Sequence, residues 1–519
     1  MSYQPKRMQG EDPYKKMRRK YEEESRNYSA PRKNYNSYSK QTRKPKRKSG
    51  GKLGVVFKLL TLIYIVITIM FYVSVLRLNL LPTSYVTIFT IAEVIFTLLI
   101  GIGLAKTHKT RKLNIFCLII ALLVSGVYLY VANYANATTE FLGSMFQELQ
   151  ETDEYYVIVR NNNTYNSVED IAGEEVYIFQ VEDDVQAELE NKVDVTFGTS
   201  DGLTNLGNNL LNREINVIFV SSSQYSMLSE EIENFTDNTK IIYTATHEVE
   251  STAVISSANS KYTINNGIFN VYISGIDTSG NISNVSRSDA NILATVNTKT
   301  HEVLLTSIPR DYYVTLHSKG AKDKLTHSGI YGINETITTV EDLLDTDINY
   351  YVRVNFTTVI KLVDTLGGIQ VYSDYDFSTQ GYHFSKGYNT LNGEEALAFS
   401  RERYSFASGD NQRVKNQQAV IEAIIKKVLN STTLLTRYTS ILESLEGSFQ
   451  TNIEQNDISN LVKDQLSNMS SWTIKNNALT GTGSYGPTYS MGSTRLYIML
   501  PNESSVAEAK QEISDVLGE

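Results

Sequence analysis

The sequence predicts an α/β protein carried on three amino-terminal membrane helices, with a small α/β domain and then a larger one behind them. Three observations predict this. Apolar runs of about 19–24 residues occur three times near the start of the chain. From residue 155 to about 250, short β-branched runs alternate with amphipathic stretches. A second series of strands and helices begins at residue 268, after a polar segment. The 519 residues suffice for two or three domains, and the boundaries read as 1–52, 53–133, 137–255 and 266–519.

The tail, residues 1–52, mixes Lys, Arg, Tyr, Ser and Asn with almost no aliphatic side chains. It cannot bury a core and is expected to be disordered. The net charge of −9 averages opposite halves: residues 1–135 carry about 17 net positive charges and the remainder about 26 net negative. Leu53–Leu76, Tyr85–Ala105 and Leu113–Val131 are long enough to cross a bilayer, and no small-residue cleavage site follows the first. Lys106, Lys109, Arg111 and Lys112 fill the second loop, whereas Asn79–Ser84 carries no charge. The positive-inside rule then places the amino terminus and second loop in the cytoplasm and everything after about residue 135 outside. The basic tail reads as a lipid-surface anchor; nucleic-acid binding is the weaker alternative. Glu93, inside the second span, is either a functional group or a carboxyl partnered within a helix bundle. Cys117, the single cysteine, excludes an intramolecular disulfide framework and reads as packed and inert.

Beyond the spans, Phe141–Leu149 reads as a short helix. Tyr155–Val159, Val176–Phe179, Val193–Phe197, Ile215–Val220 and Ile241–Thr244 read as strands. Val168–Ala172, Asp184–Glu190, Leu203–Asn212 and Tyr225–Glu233 read as the helices between them, giving mostly parallel β-α units. No catalytic constellation stands out here, so a spacer or interaction role is expected. Ser256–Asn266 is a linker. FNVYISGID is a strand ending at Asp277, and two alternating strands flank the turn Asn297–Thr300. Tyr350–Val354 follows as strand. Phe356–Leu366 is an amphipathic helix stopped by Gly367-Gly368. Asn392–Phe399, Arg413–Leu429 and Ser505–Leu517 are further helices, and Ser493–Leu500 is a strand.

Ionisable residues in this larger domain recur at the ends of elements, where a scaffold presents a site. Asp277 ends the first strand, and Arg287 and Asp289 precede the hairpin. Arg310 and Asp311 interrupt its second strand, and Lys324 lies in DKLTHSG. Arg401 and Arg403 follow ALAFS and share a face in strand spacing. Asp410, Arg413 and Gln417 fall on one helical face. Guanidinium forks match phosphate oxygens two at a time and stay charged. Two carboxylates suit Mg2+, which takes few protein ligands besides substrate phosphates. Such a set is suited to holding a pyrophosphate and stabilising charge during phosphoryl transfer. A surface ion-pair network is the bland reading of any one pair. His327 in KLTHSG has no second histidine at ligand spacing and reads as a hydrogen-bonded structural residue. SGIDTSGN lacks the Lys-Ser/Thr of a P-loop.

FNVYISGID, RSDANILATVNTKTHEVLLTSIPRDYYV, DKLTHSGIYG, YYVRVNFTTVIKLVDTLGGIQV, LNGEEALAFSRERY and GDNQRVKNQQAVI occur in this order. Together they resemble the LytR–CpsA–Psr family from about residue 266 to the carboxyl end, and the three spans with an extra α/β domain resemble its capsule-associated CpsA branch. The resemblance implies an extracellular α/β/α domain with a central mixed sheet that binds polyprenyl pyrophosphate and attaches capsule, teichoic acid or related glycopolymers to peptidoglycan. It implies Asp277 and Asp289 as magnesium ligands. Arg287, Arg310, Arg401, Arg403 and Arg413 become a pyrophosphate clamp, with Lys324, Asp410 and Gln417 beside it, and Asp410 or Asp311 a proton acceptor. VKNQQ departs from the family, many members of which carry a second Arg just before the Gln. Part of the apolar surface, offered by Phe356, Val359, Ile360, Val363 and Leu366 and by Val420, Ile421, Ile424, Ile425 and Val428, is implied to line a prenyl tunnel. Periodicity alone reads both stripes as core. The implied setting is the cell membrane of a Gram-positive bacterium, with capsule-synthesis proteins as further partners. The alternatives are a membrane-bound regulator sensing lipid-linked polymer and a pyrophosphatase that uses water as acceptor.

Overall fold

The structure is a computed structural model that describes residues 14, 52–79, 81–105, 111–145, 152–248, 262–276, 282–407, 409–429, 441, 449–468 and 471–519. Almost all of the tail and residues 249–261 lie outside the described residues, and the last part of the expected linker Ser256–Asn266 is a single 3-10 turn at Ile264–Asn266.

Lys52–Leu78, Thr83–Ala105 and Arg111–Met145 are helices, and each contains a stretch long and apolar enough to cross a membrane. Leu59, Ile69, Leu98 and Leu123 are exposed on their outer faces, as a lipid-facing surface requires. The third helix runs on to Met145, so the separate short helix expected to begin at Phe141 is instead a continuation of that helix, and residues 146–149 of the expected helix lie outside the described residues. No Gly-Pro signal interrupts residues 127–142, and the helix continues. Glu93 is buried and partnered: Tyr128 donates to its Oε2 at 2.6 Å and Thr97 to its Oε1 at 3.0 Å. Cys117 is buried against Gly103.

A five-stranded sheet follows, in the order 196–199, 175–178, 217–221, 152–160, 239–248. Only its first three strands run parallel; Thr152–Arg160 is antiparallel to both neighbours, so the sheet is more mixed than the alternating pattern predicted. Val193 caps the Asp183–Lys192 helix through its N–H to Leu189 O, which delays the next strand to Thr196–Thr199. The helix Ser222–Glu231 starts at a capping box between Ser221 and Gln224.

The second sheet has six strands in the order 449–451, 350–354, 268–276, 288–297, 302–308, 473–478, with parallel and antiparallel neighbours. Side-chain alternation builds two cores. Tyr272, Leu293 and Leu304 face a layer containing Ile337, Val340 and Ile513, while Val271, Ile292, Ala294, Val303 and Leu305 face Ile421, Ile425 and Leu461. Helices therefore cover both faces, as an α/β/α arrangement requires. Phe356–Thr365 ends at Leu366, and Gly367 and Gly368 take φ of 77° and 85° while donating back to Asp364 O and Val363 O.

Asp323 anchors the turn that presents Lys324 and Thr326. It is fully buried and accepts from the His327 ring at 2.6 Å and from Ser490 N at 2.8 Å. His327 is thus the structural residue its isolation in sequence suggested. Burial pushes the Asp323 carboxyl up, but His327 and Ser490 outweigh it and hold the group below its ordinary value. A depressed native pKa gives stability that is present above the unfolded value of about 3.9 and lost as pH falls through the native one. Asp323→Asn should lower stability by about 2 kcal/mol at neutral pH. The loss should shrink below about pH 4, and melting curves of the full chain in detergent at both pH values check this.

Candidate functional site

The site lies where the strand 268–276 and the following hairpin end. Gly275 pairs with Ala290 but Ile276 pairs with Ser288, so Asp289 is the extra residue of a β-bulge. Bulges re-aim a side chain out of the ladder. The second hairpin strand stops at Ile308, and Arg310 and Asp311 lie in the turn beyond Pro309 rather than within the strand. Thr326 N donates to Arg310 O at 2.9 Å, which fixes the turn against the Leu325–Ser328 helix.

These elements bring four of the expected residues, Asp289, Arg310, Asp311 and Lys324, into direct contact. Arg310 Nη1 sits 2.9 Å from Asp289 Oδ1, and Thr326 Oγ1 donates to the same oxygen at 2.8 Å. Asp311 Oδ1 lies 3.2 Å from Lys324 Nζ and 3.9 Å from Arg310 Nε. All four charged side chains are 10–14% exposed. Burial raises the Asp289 carboxyl, yet Arg310, then Arg287, Thr326 and Arg413 reverse the shift and hold it below the usual carboxylate range. Arg287 and Arg413 therefore share the electrostatic field of this cluster. Arg413 lies on the Asp410–Leu429 helix and is buried, with Gln417 half-buried one turn on.

Arg401 and Arg403 are placed differently from the strand spacing read in the sequence. Arg401 is the last residue of the Gly393–Arg401 helix, and its guanidinium lies 4.2 Å from the Phe356 ring centroid. Arg403 follows the helix and contacts Tyr404. Asp277 and the side chain of Asp410 lie outside the described residues. Val363, Leu366 and Val420 are core, and Val359, Ile424 and Val428 pack half-buried against that core. Among the described residues, no group of three or more His, Cys, Asp or Glu is gathered as for a metal ion.

Two charged residues on neighbouring elements were not singled out in the sequence. Arg353, 1% exposed in the strand Tyr350–Val354, donates to Asn284 O at 3.0 Å. A lone charge inside YYVRV was a usable signal for it. Glu230, from the helix Ser222–Glu231 beside the five-stranded sheet, accepts from Arg287 Nη1 at 2.7 Å. Nothing local in MLSEEIENF marks that carboxylate, because its partner is 57 residues away.

Comparison with known proteins places this architecture. The model described as "LytR_cpsA_psr family" matches residues 230–510. The Bacillus subtilis (strain 168) protein named polyisoprenyl-teichoic acid–peptidoglycan teichoic acid transferase TagU is 35% identical over 250 residues, covering 48% of this chain and 78% of that protein. The protein of the same name from Enterococcus faecalis (strain ATCC 700802 / V583) is 38% identical over 218 residues, covering 41% and 71%. A crystal structure of B. subtilis TagU overlaps 48% of this chain and 96% of its own, at 35% identity and a TM-score of 0.38. The chain belongs to the LytR–CpsA–Psr family.

Proposed function

We infer that this chain is a membrane-held phosphotransferase that passes a phosphate-linked glycopolymer from a polyprenyl-pyrophosphate lipid onto peptidoglycan. The observation that carries the reading is the nearly buried cluster in which Arg310 and Lys324 hold Asp289 and Asp311 while Arg287 and Arg413 act on the same carboxylate. Guanidinium groups grip phosphate oxygens in pairs, and in a site closed to water their field on a transferring phosphoryl group is strong. The relatives named as teichoic acid transferases are consistent with this chemistry. The polymer carried here is read as capsular or teichoic-acid-like. The basic second loop favours an orientation with both sheets outside the cell.

Asp289 fits a magnesium ligand. Its described contacts both fall on Oδ1, which leaves Oδ2 for a cation, and the neighbouring arginines keep the carboxyl ionised. Asp277, directly after the strand 268–276, would be the second ligand. Magnesium bound there would act as a Lewis acid on the diphosphate oxygens. Arg287, Arg310, Arg401, Arg403 and Arg413, with Lys324 and Gln417, bind and orient the diphosphate. A sugar hydroxyl of peptidoglycan attacks the phosphorus bearing the polymer, and the bond from that phosphorus to the bridging oxygen breaks. Polyprenyl phosphate leaves, and the hydroxyl proton passes to Asp311 or Asp410. Positioning and electrostatics supply most of the acceleration.

Arg310→Ala should cut wall-linked polymer formation by about 100-fold or more with the chain still folded. An assay of polymer transfer by the purified full chain checks it, and an undiminished rate contradicts the assignment. The same assay separates transfer from hydrolysis: the polymer should be recovered covalently on peptidoglycan, and free polymer as the sole product would make water the acceptor.

A further inference from the structure

The diphosphate site inferred above draws on more than the six-stranded sheet. The helix Ser222–Glu231 follows directly on the strand Val217–Ser221 of the other sheet, and its Met227 and Leu228 are buried in that sheet's core. Gln224 Nε2 donates to Phe179 O at 2.7 Å, which holds the helix start in place. Ser223, Ser226 and Glu230 are spaced by three and four residues and so lie along one helical face. That face meets the segment leading into the site. Ser223 Oγ donates to Val285 O at 3.3 Å, and Arg287 Nη2 donates to Ser226 Oγ at 3.4 Å. The Glu230 carboxylate takes both ends of the Arg287 fork, at 2.7 Å from Nη1 and 2.5 Å from Nη2.

Arg287 is held at its backbone as well. A Cβ on Gly329 would come within 2.5 Å of Ser286 O and 2.7 Å of Ser288 N, so the chain around Arg287 lies flush against Gly329. With the backbone fixed there, the remaining freedom is in the long side chain, and a bidentate carboxylate removes it by fixing the plane of the guanidinium. The Arg287 side chain is 6% exposed while that of Glu230 is 49% exposed. Arg310 also acts on Glu230, so the carboxylate lies within the field of the site.

We propose that Glu230 is a positioning residue: the helix Ser222–Glu231 sets the orientation in which Arg287 meets the diphosphate. This rests on the reading of Arg287 as a diphosphate ligand. The five-stranded sheet is then a working part of the site, with its helix face built to hold one of the arginines.

The test uses the full chain in detergent with magnesium and farnesyl pyrophosphate as the probe, reading the dissociation constant by titration. Glu230→Gln should weaken binding about tenfold, the scale of one charge-assisted hydrogen bond. Glu230→Asp should fall between Glu230→Gln and the unaltered chain, and Ser226→Ala should weaken binding about twofold. In an Arg287→Ala background, Glu230→Gln should cause no further change, which a general loss of folding would not reproduce. Should Glu230→Gln fail to fold, Glu230→Asp and Ser226→Ala carry the same comparison. Tighter binding by Glu230→Gln would show a competitor for Arg287 and overturn the proposal, as would unchanged binding or an equal loss without Arg287. If Arg287→Ala alone binds as well as the unaltered chain, Arg287 is not a ligand and the proposal falls, while loss of binding in Arg310→Ala would leave the diphosphate reading standing.

Discussion

The contact between Arg310 and Asp289 is the constraint to which the surrounding structure answers. Both side chains are largely withdrawn from water, and each would be costly there as a lone charge. The pair exists because a β-bulge turns Asp289 out of its ladder and because Pro309 ends the hairpin strand just before Arg310. Thr326 and Lys324 come to the same place on a turn whose own anchor, Asp323, is satisfied by His327 and Ser490. Each satisfied group removes a reason for the cluster to relax, so the arginines are held in place before any ligand arrives. That is the property a phosphoryl-transfer site needs most, since reorganisation during the reaction is what preorganised charges avoid.

Burial also explains how so much positive charge is kept close together. Guanidinium groups repel one another in a medium of low effective dielectric, and carboxylates interleave with them here: Asp289 against Arg310, Asp311 against Lys324, Glu230 against Arg287. The last of these carboxylates comes from the helix beside the five-stranded sheet. A separate two-stranded hairpin, Gly481–Thr488 with Gly492–Pro501, also packs on the five-stranded sheet's domain, since Met491 and Leu496 sit in the core formed by Leu203, Leu206 and Phe235.

Much of this was legible in the amino-acid sequence, for identifiable reasons. The strand Tyr350–Val354, the hairpin around Asn297–Thr300 and the stop at Gly367-Gly368 rest on local signals: alternation, a turn, and positive φ at glycine. The cluster of Arg310, Asp311, Lys324 and Asp289 was legible because charges at strand ends are conspicuous among apolar runs. What stayed hidden is non-local. The antiparallel placement of Thr152–Arg160 depends on which neighbour a strand pairs with, and period-two alternation is the same in either direction. Glu230 looks like any exposed helical glutamate until Arg287 is brought to it. Arg401 was read in strand spacing because the helix was ended at Phe399, although ALAFSR carries no stop signal there and the helix capped by Asn392 runs through Arg401.

The central claim is that one diphosphate is gripped by these arginines with Asp289 at its edge. A crystal structure of the full chain with magnesium and a prenyl diphosphate tests it most directly. The account predicts diphosphate oxygens about 2.7–2.9 Å from guanidinium nitrogens of Arg310 and Arg413, with magnesium on Asp289. A diphosphate seated on another surface, with the Arg310–Asp289 pair untouched, would contradict it.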